Sequence, residues 1–200
     1  MKLLIDTNIP LVANGEYLDA SDECIEACEK ILREIVEAEM HVLVLDDDDL
    51  ISTEYGKKLL YNPRPMGNVF LQWVLINQAN EERCHRVLIP LKNNAVEDTD
   101  FRHFPDDTAL EGFDKADRKF VAVAIACDDH PPIYNATDSD WWKPGIEGAL
   151  KKYGVEIVSV CNKEKEAFLL KNPTEARKRV SQSTKTQSKL NLKPAVKRKK

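Results

Sequence analysis

The sequence predicts an α/β fold, a three-layer α/β/α arrangement around a central, mostly parallel sheet, followed by a basic, largely disordered tail. Three observations lead there. Short apolar runs of strand length recur along the chain, helical patterns separate them, and the charge changes sign near residue 162. Strands that alternate with helices need crossover connections, and crossovers cover both faces of a parallel sheet.

The strands come first. Leu3-Leu4-Ile5, His41-Val42-Leu43-Val44-Leu45 and Pro132-Ile133-Tyr134-Asn135-Ala136 read as buried strands. Val155 to Val160 follows a Tyr153-Gly154 break and reads as a fourth. Arg86-Val87-Leu88-Ile89, ended by Pro90, is a weaker candidate. Between them, Ser21 caps a helix whose apolar face is Cys24, Cys28, Ile31 and Ile35. Ile51, Tyr55 and Leu59 form the stripe of another. Gly67 to Ala79 has the composition of a further helix, and Asp117 to Cys127 is apolar nearly all round, as a buried helix is.

Residues 62–113 break this rhythm and read as an insertion or long loop over one end of the sheet, where it would shape substrate access. The expected division is therefore a single folded domain over 1–162 and a basic, largely disordered C-terminal extension over 163–200.

Charge sharpens the division. The chain has 34 acidic and 29 basic residues among 200, a net charge of −5. Residues 1–162 carry 31 acidic and 16 basic side chains, a balance of −15, whereas 163–200 carry 3 and 13, a balance of +10. Clusters such as Arg177-Lys178-Arg179 and Lys197-Arg198-Lys199-Lys200 would add salt-sensitive affinity for a polyanion. The longest apolar run, Phe120 to Cys127, is far below the roughly 18 residues of a membrane span. Five cysteines at scattered positions argue against a disulfide framework, and Cys24 and Cys28 read as core residues rather than zinc ligands. A cytoplasmic protein without a membrane partner is the expectation.

The acids then fall in a pattern. In a parallel sheet, ligands bind beyond the carboxyl ends of the strands. The first strand runs into Asp6-Thr7-Asn8, the second into Asp46-Asp47-Asp48-Asp49, and the third into Thr137-Asp138-Ser139-Asp140. Glu54 borders the inward face of its helix, and Asp117 opens the buried one. Carboxylates gathered this way repel one another unless a divalent cation intervenes. Oxygen-only ligands without a His or Cys set select Mg²⁺ or Mn²⁺, and such a site suits phosphodiester hydrolysis. The Asp46–Asp49 run reads mainly as helix start and solvated loop.

These motifs resemble the PIN domain (PilT N-terminus) family of metal-dependent nucleases. Leu3-Leu4-Ile5-Asp6-Thr7-Asn8 is similar to the family's opening strand and first acid. Asp49-Leu50-Ile51-Ser52-Thr53-Glu54-Tyr55 resembles the helix with the second acid. Asp114-Lys115-Ala116-Asp117-Arg118-Lys119-Phe120 resembles the segment with the third, and Ala136-Thr137-Asp138-Ser139-Asp140-Trp141 the last.

The resemblance implies catalytic and metal-binding roles for Asp6, Glu54, Asp117 and Asp138, with Asp140 as an accessory ligand. Thr7 and Asn8 would orient the first carboxylate, and Arg118 and Lys119 would contact substrate phosphates. It implies a Mg²⁺- or Mn²⁺-dependent endoribonuclease acting on single-stranded RNA. Some relatives in the family are toxin-type (VapC-like) enzymes, which adds an antitoxin protein and a homodimer to the candidate partners. The alternatives are a non-catalytic RNA- or protein-binding PIN-like module and a receiver-type phosphoryl-transfer domain, in which the aspartate itself is the nucleophile.

Overall fold

The computed structural model describes residues 1–172 apart from 39, 63 and 144. Its five strands are β1 (Lys2–Ile5), β2 (Val42–Asp46), β3 (Cys84–Val87), β4 (Ile133–Asn135) and β5 (Ile157–Ser159), all parallel, in the order β3-β2-β1-β4-β5. The helices are α1 (Asn8–Ala13), α2 (Asp22–Val36), α3 (Leu50–Lys58), α4 (Met66–Asn77), α5 (Arg118–Ala126), α6 (Ile146–Lys151) and α7 (Asn162–Lys171). The fold is the three-layer α/β/α type expected. No helix among the described residues is long and apolar enough to cross a membrane.

Local chemistry explains most element ends. The Ser21 hydroxyl accepts from the Cys24 amide and caps α2, whose face of Cys24, Cys28, Ile31 and Ile35 is buried. Asp46 is fully buried at the end of β2, where its carboxylate accepts from the amides of Leu50 (2.7 Å) and Ile51 (2.8 Å) and so holds the start of α3. That assigns the first acid of the Asp46–Asp49 run to structure. Asp47 and Asp49 both face Arg86, with Asp49 at 2.7 Å. Helix α4 packs so closely on α1 that a Cβ at Gly67 would stand 2.0 Å from the Pro10 carbonyl oxygen, so only glycine fits there.

The order of strands decides where a site can form. The chain runs from β1 outward through β2 to β3, then returns to the other side of β1 with β4 and β5. The direction of winding thus reverses between β1 and β4. Side chains at the carboxyl ends of those two strands flank a natural crevice.

Three expectations change. Residues 62–113 are not one insertion, because 66–77 form α4 and 84–87 form the edge strand β3. Only the stretch from 88 to 117 is a long connection. It is pinned by the buried rings of Phe101, Phe104 and Phe113 and by Leu110, and by a single antiparallel bridge between Leu91 and Phe101. The boundary at 162 falls at the start of α7, which lies against the body through a Trp142–Phe168 ring contact and a hydrogen bond from the Ser21 hydroxyl to Glu164 (2.6 Å). The part of the basic segment beyond residue 172, including its Lys/Arg clusters, lies outside the described residues. Finally, Cys24 and Cys161 form a disulfide across 137 residues, contrary to the reading of the cysteines as unpaired. Nothing local in sequence couples two thiols that far apart. The sheet does so by bringing the end of β5 beside α2.

Candidate metal centre

The site is built outward from Asp6, the first residue past β1. Its amide still donates to the Tyr134 carbonyl of β4 (3.0 Å), so its position is set by the sheet. Its carboxylate is held on both oxygens. Oδ1 accepts from the backbone amide of Asn8 (2.9 Å) and from its side-chain Nδ2 (2.5 Å), and Oδ2 accepts from the indole Nε1 of Trp141 (2.8 Å). Asn8 also donates to Asn135 Oδ1 (2.8 Å) and accepts from the Ala136 amide (2.8 Å), which ties the ends of β1 and β4 together. Asn135 in turn receives the amide of Asp138 and donates to its carbonyl. Thus the neighbours of Asp6 also place Asp138.

Asp117 arrives from the other direction, at the start of α5. The cap of that turn is supplied by Asp114, which accepts from the Ala116 amide (2.9 Å), and the Asp117 side chain makes no capping bond. Its Oδ2 is buried without a hydrogen-bond partner. Asp6, Asp117 and Asp138 each offer a carboxylate oxygen, and the three oxygens lie within 4.8 Å of one another. Three carboxylates this close, one of them with a buried unpartnered oxygen, are costly unless something positive joins them.

The titration behaviour agrees. Burial raises Asp6 to about 7 against the hydrogen bond from Asn8, with the charge of Asp138 adding to the rise. Burial, followed by the charges of Asp6 and Asp138, raises Asp117 to about 8. Asp138 is raised as well, chiefly by burial.

The remaining expected residues are placed differently. Glu54 is outside the three-carboxylate group. One oxygen accepts from the Thr7 hydroxyl (2.7 Å), and the other pairs with Lys119 (2.5 Å), while Lys58 approaches at 3.3 Å. Burial alone would raise Glu54, but Lys119, the Thr7 hydroxyl and Lys58 outweigh it and lower its pKa. Thr7 therefore orients Glu54, and Asn8 orients Asp6. Asp140 pairs with Lys143 (2.8 Å), and what it offers Asp138 is its backbone amide (2.8 Å). Lys119 is buried against Glu54 and the Ala116 carbonyl. The Arg118 guanidinium reaches Asp100 (3.3 Å) and lies 4.8 Å from the Phe104 ring, anchoring the 88–117 connection.

Lys57 and Lys58 of α3, together with Glu54, Asp98, Phe101 and Lys119, line a hollow of about 390 Å³. Tyr17 is close to the carboxylates, since burial and then the charges of Asp138 and Asp6 raise its hydroxyl. The residue is two-fifths exposed.

Asn135, Trp141 and Tyr17 were not legible as site residues. Trp141 packs edge-on to Phe113 with ring centroids 5.0 Å apart, and it carries the Asp6 hydrogen bond besides. Trp141→Phe keeps an aromatic ring and deletes only the donor and some volume. Partners that orient a metal ligand typically contribute ten- to a hundredfold in affinity, so Mn²⁺ binding by calorimetry should weaken by about that factor. Unchanged affinity in the folded variant would assign Trp141 to packing alone.

Comparison of the chain with protein-family models, curated proteins and solved structures finds no match in any of the three. What the site can do must therefore be argued from its own geometry and from the motifs.

Proposed function

We propose that the chain is a Mg²⁺- or Mn²⁺-dependent endoribonuclease that hydrolyses phosphodiester bonds of single-stranded RNA. The observation that carries this reading is the group of Asp6, Asp117 and Asp138 at the β1/β4 crevice, with one oxygen of Asp117 left unpartnered. The donor set is oxygen alone, which suits Mg²⁺ or Mn²⁺ better than zinc. RNA as substrate rests on the resemblance to PIN domains.

The chain's own residues divide the work. Asn8 and Trp141 fix the orientation of Asp6 before substrate arrives, and Asn135 does the same for the Asp138 loop. When bound, the cation polarises a phosphoryl oxygen, acidifies an attacking water and compensates the three carboxylates. Lys119 and Thr7 keep Glu54 ionised at the rim. Lys57 and Lys58 supply positive charge where an incoming phosphate backbone crosses α3, and Tyr17 offers a ring on which an unstacked base can rest.

The test is cleavage of an end-labelled single-stranded RNA by the full chain, with Mn²⁺ and with EDTA. Fragments carrying 5′-phosphates in Mn²⁺ and intact RNA in EDTA are expected. Fragments formed equally in EDTA would overturn the metal reading. RNA retention on the chain without any turnover would instead favour the non-catalytic binding module. An antitoxin or a second copy of the chain as partner rests on the family resemblance alone.

A further inference from the structure

We propose that Cys24, Cys28 and Cys161 form a second metal site, a buried trithiolate that takes one thiophilic ion of the zinc class when the Cys24–Cys161 disulfide is open. This does not depend on the nuclease reading. Cys24 and Cys28 lie one turn apart on the same face of α2, and Cys161 joins them from the position just before α7. All three are buried, and their sulfurs lie within 4.8 Å of one another.

A disulfide needs two sulfurs, and here there are three. Cys28 Sγ sits 3.9 Å from Cys161 Sγ. Two thiolates bound tetrahedrally to one zinc at about 2.3 Å stand roughly 3.8 Å apart, so this pair already has the spacing of a shared ion. Only the Cys24–Cys161 pair has to separate. Residues i and i+4 on one helix face are a standard way to present two ligands to a metal, as in zinc-binding helices. Glu164, in the first turn of α7, accepts from the amide and hydroxyl of Ser21 and so holds that turn against the start of α2.

The seat of α7 gives the cluster a purpose. That helix buries none of its own residues, and its other ties to α2 are the surface contacts of Lys163 with Glu23 and of Glu164 with Ser21. Beside the Trp142–Phe168 ring contact and these surface pairs, Cys161 gives α7 a buried anchor. In an oxidising setting the disulfide supplies it. In a reducing one, a dithiol gives up two electrons and two protons, becomes a disulfide itself, and leaves Cys24 and Cys161 as thiols. Entry of a divalent ion then releases three protons, one from each thiol, and forms three metal–sulfur bonds.

The test uses the full chain, reduced with a phosphine that does not bind metals, and Co²⁺ alone as the probe. Expected is a thiolate-to-cobalt charge-transfer absorption that saturates at one equivalent and disappears on adding Zn²⁺. The carboxylate centre cannot produce that band, so Asp6→Asn retains it. The oxidised chain lacks it, and Cys28→Ala loses it. Absence of the band in the reduced, folded chain, or its persistence at full strength in Cys28→Ala, would overturn the site. If Cys28→Ala fails to fold, alkylation of the parent chain decides. Zn²⁺ should protect Cys24, Cys28 and Cys161 and leave Cys84 and Cys127 unchanged, and equal reaction at all five would refute the proposal.

Discussion

Replacing Asp117 with Asn is expected to cut Mn²⁺-dependent RNA cleavage by about a thousandfold or more, while making the metal-free protein more stable at about pH 8. The loss follows from charge. A divalent ion contributes several kcal/mol of transition-state stabilisation, and each 1.4 kcal/mol is about tenfold in rate. An amide keeps the shape of the side chain but removes the negative charge that holds the ion between Asp6 and Asp138. The gain follows from the same charge. In the metal-free chain Asp117 is pushed to about 8 by burial and by its two acidic neighbours, so ionising it works against the fold. A neutral isostere escapes that penalty. Initial cleavage rates and urea midpoints on one preparation measure both effects, and a variant that loses activity and stability together would show only that the site had collapsed.

The second large effect is on the pH dependence of folding. Both Asp6, at about 7, and Asp117, at about 8, stand above their ordinary value of 3.8. Between those limits the folded chain retains protons that the unfolded chain releases. Stability from these groups is therefore fully present below about pH 4 and is lost as pH rises through about 7 and 8. At about 1.4 kcal/mol per pH unit, the rises from 3.8 to about 7 at Asp6 and to about 8 at Asp117 set an upper bound of about 10 kcal/mol for the two together. Saturating Mn²⁺ should reverse the trend, since it binds the ionised carboxylates. Urea midpoints measured from about pH 5 to 8.5 should fall without metal and hold or rise with it. A metal-free midpoint that rose across that window would contradict the arrangement of the three acids. The window begins above the range in which Glu54, whose pKa is lowered, becomes protonated and withdraws its own contribution.

Much of the fold was legible because its signals are short in range. Each strand appears as a compact apolar run, and α2 announces itself through Ser21 and the spacing of Cys24, Cys28, Ile31 and Ile35. Even the weak Arg86–Ile89 run marks the edge strand, slightly displaced to Cys84–Val87. Short α1 has little signal of its own: it is six residues long, starts at Asn8 inside the acid motif, and carries Pro10 in its first turn, where proline is tolerated. Helix α6 was missed too. Its entry is set by Gly145 at a φ of 88°, a backbone requirement without a periodic signature.

The candidate site divides along the same line. Asp6, Asp117 and Asp138 could be read because each follows or opens an element. What they touch could not. The Asn8–Asn135 and Asp6–Trp141 hydrogen bonds join residues 127 and 135 positions apart. Lys119 looked free to meet phosphate because its helix position is visible in sequence and its partner Glu54, on a different helix, is not. The third sulfur of the cysteine cluster was hidden for the same reason.

That span has a consequence for a chain emerging from the ribosome. Asp6 and Asn8 are made first, but the groups that complete their surroundings, Asn135, Asp138 and Trp141, are among the last of the body to be synthesised. Strand β1 cannot acquire its β4 neighbour until then, so the carboxylates stay dispersed on every shorter nascent chain. The three-carboxylate cluster is therefore assembled only in the finished domain, and a copy terminated before Asp138 lacks it.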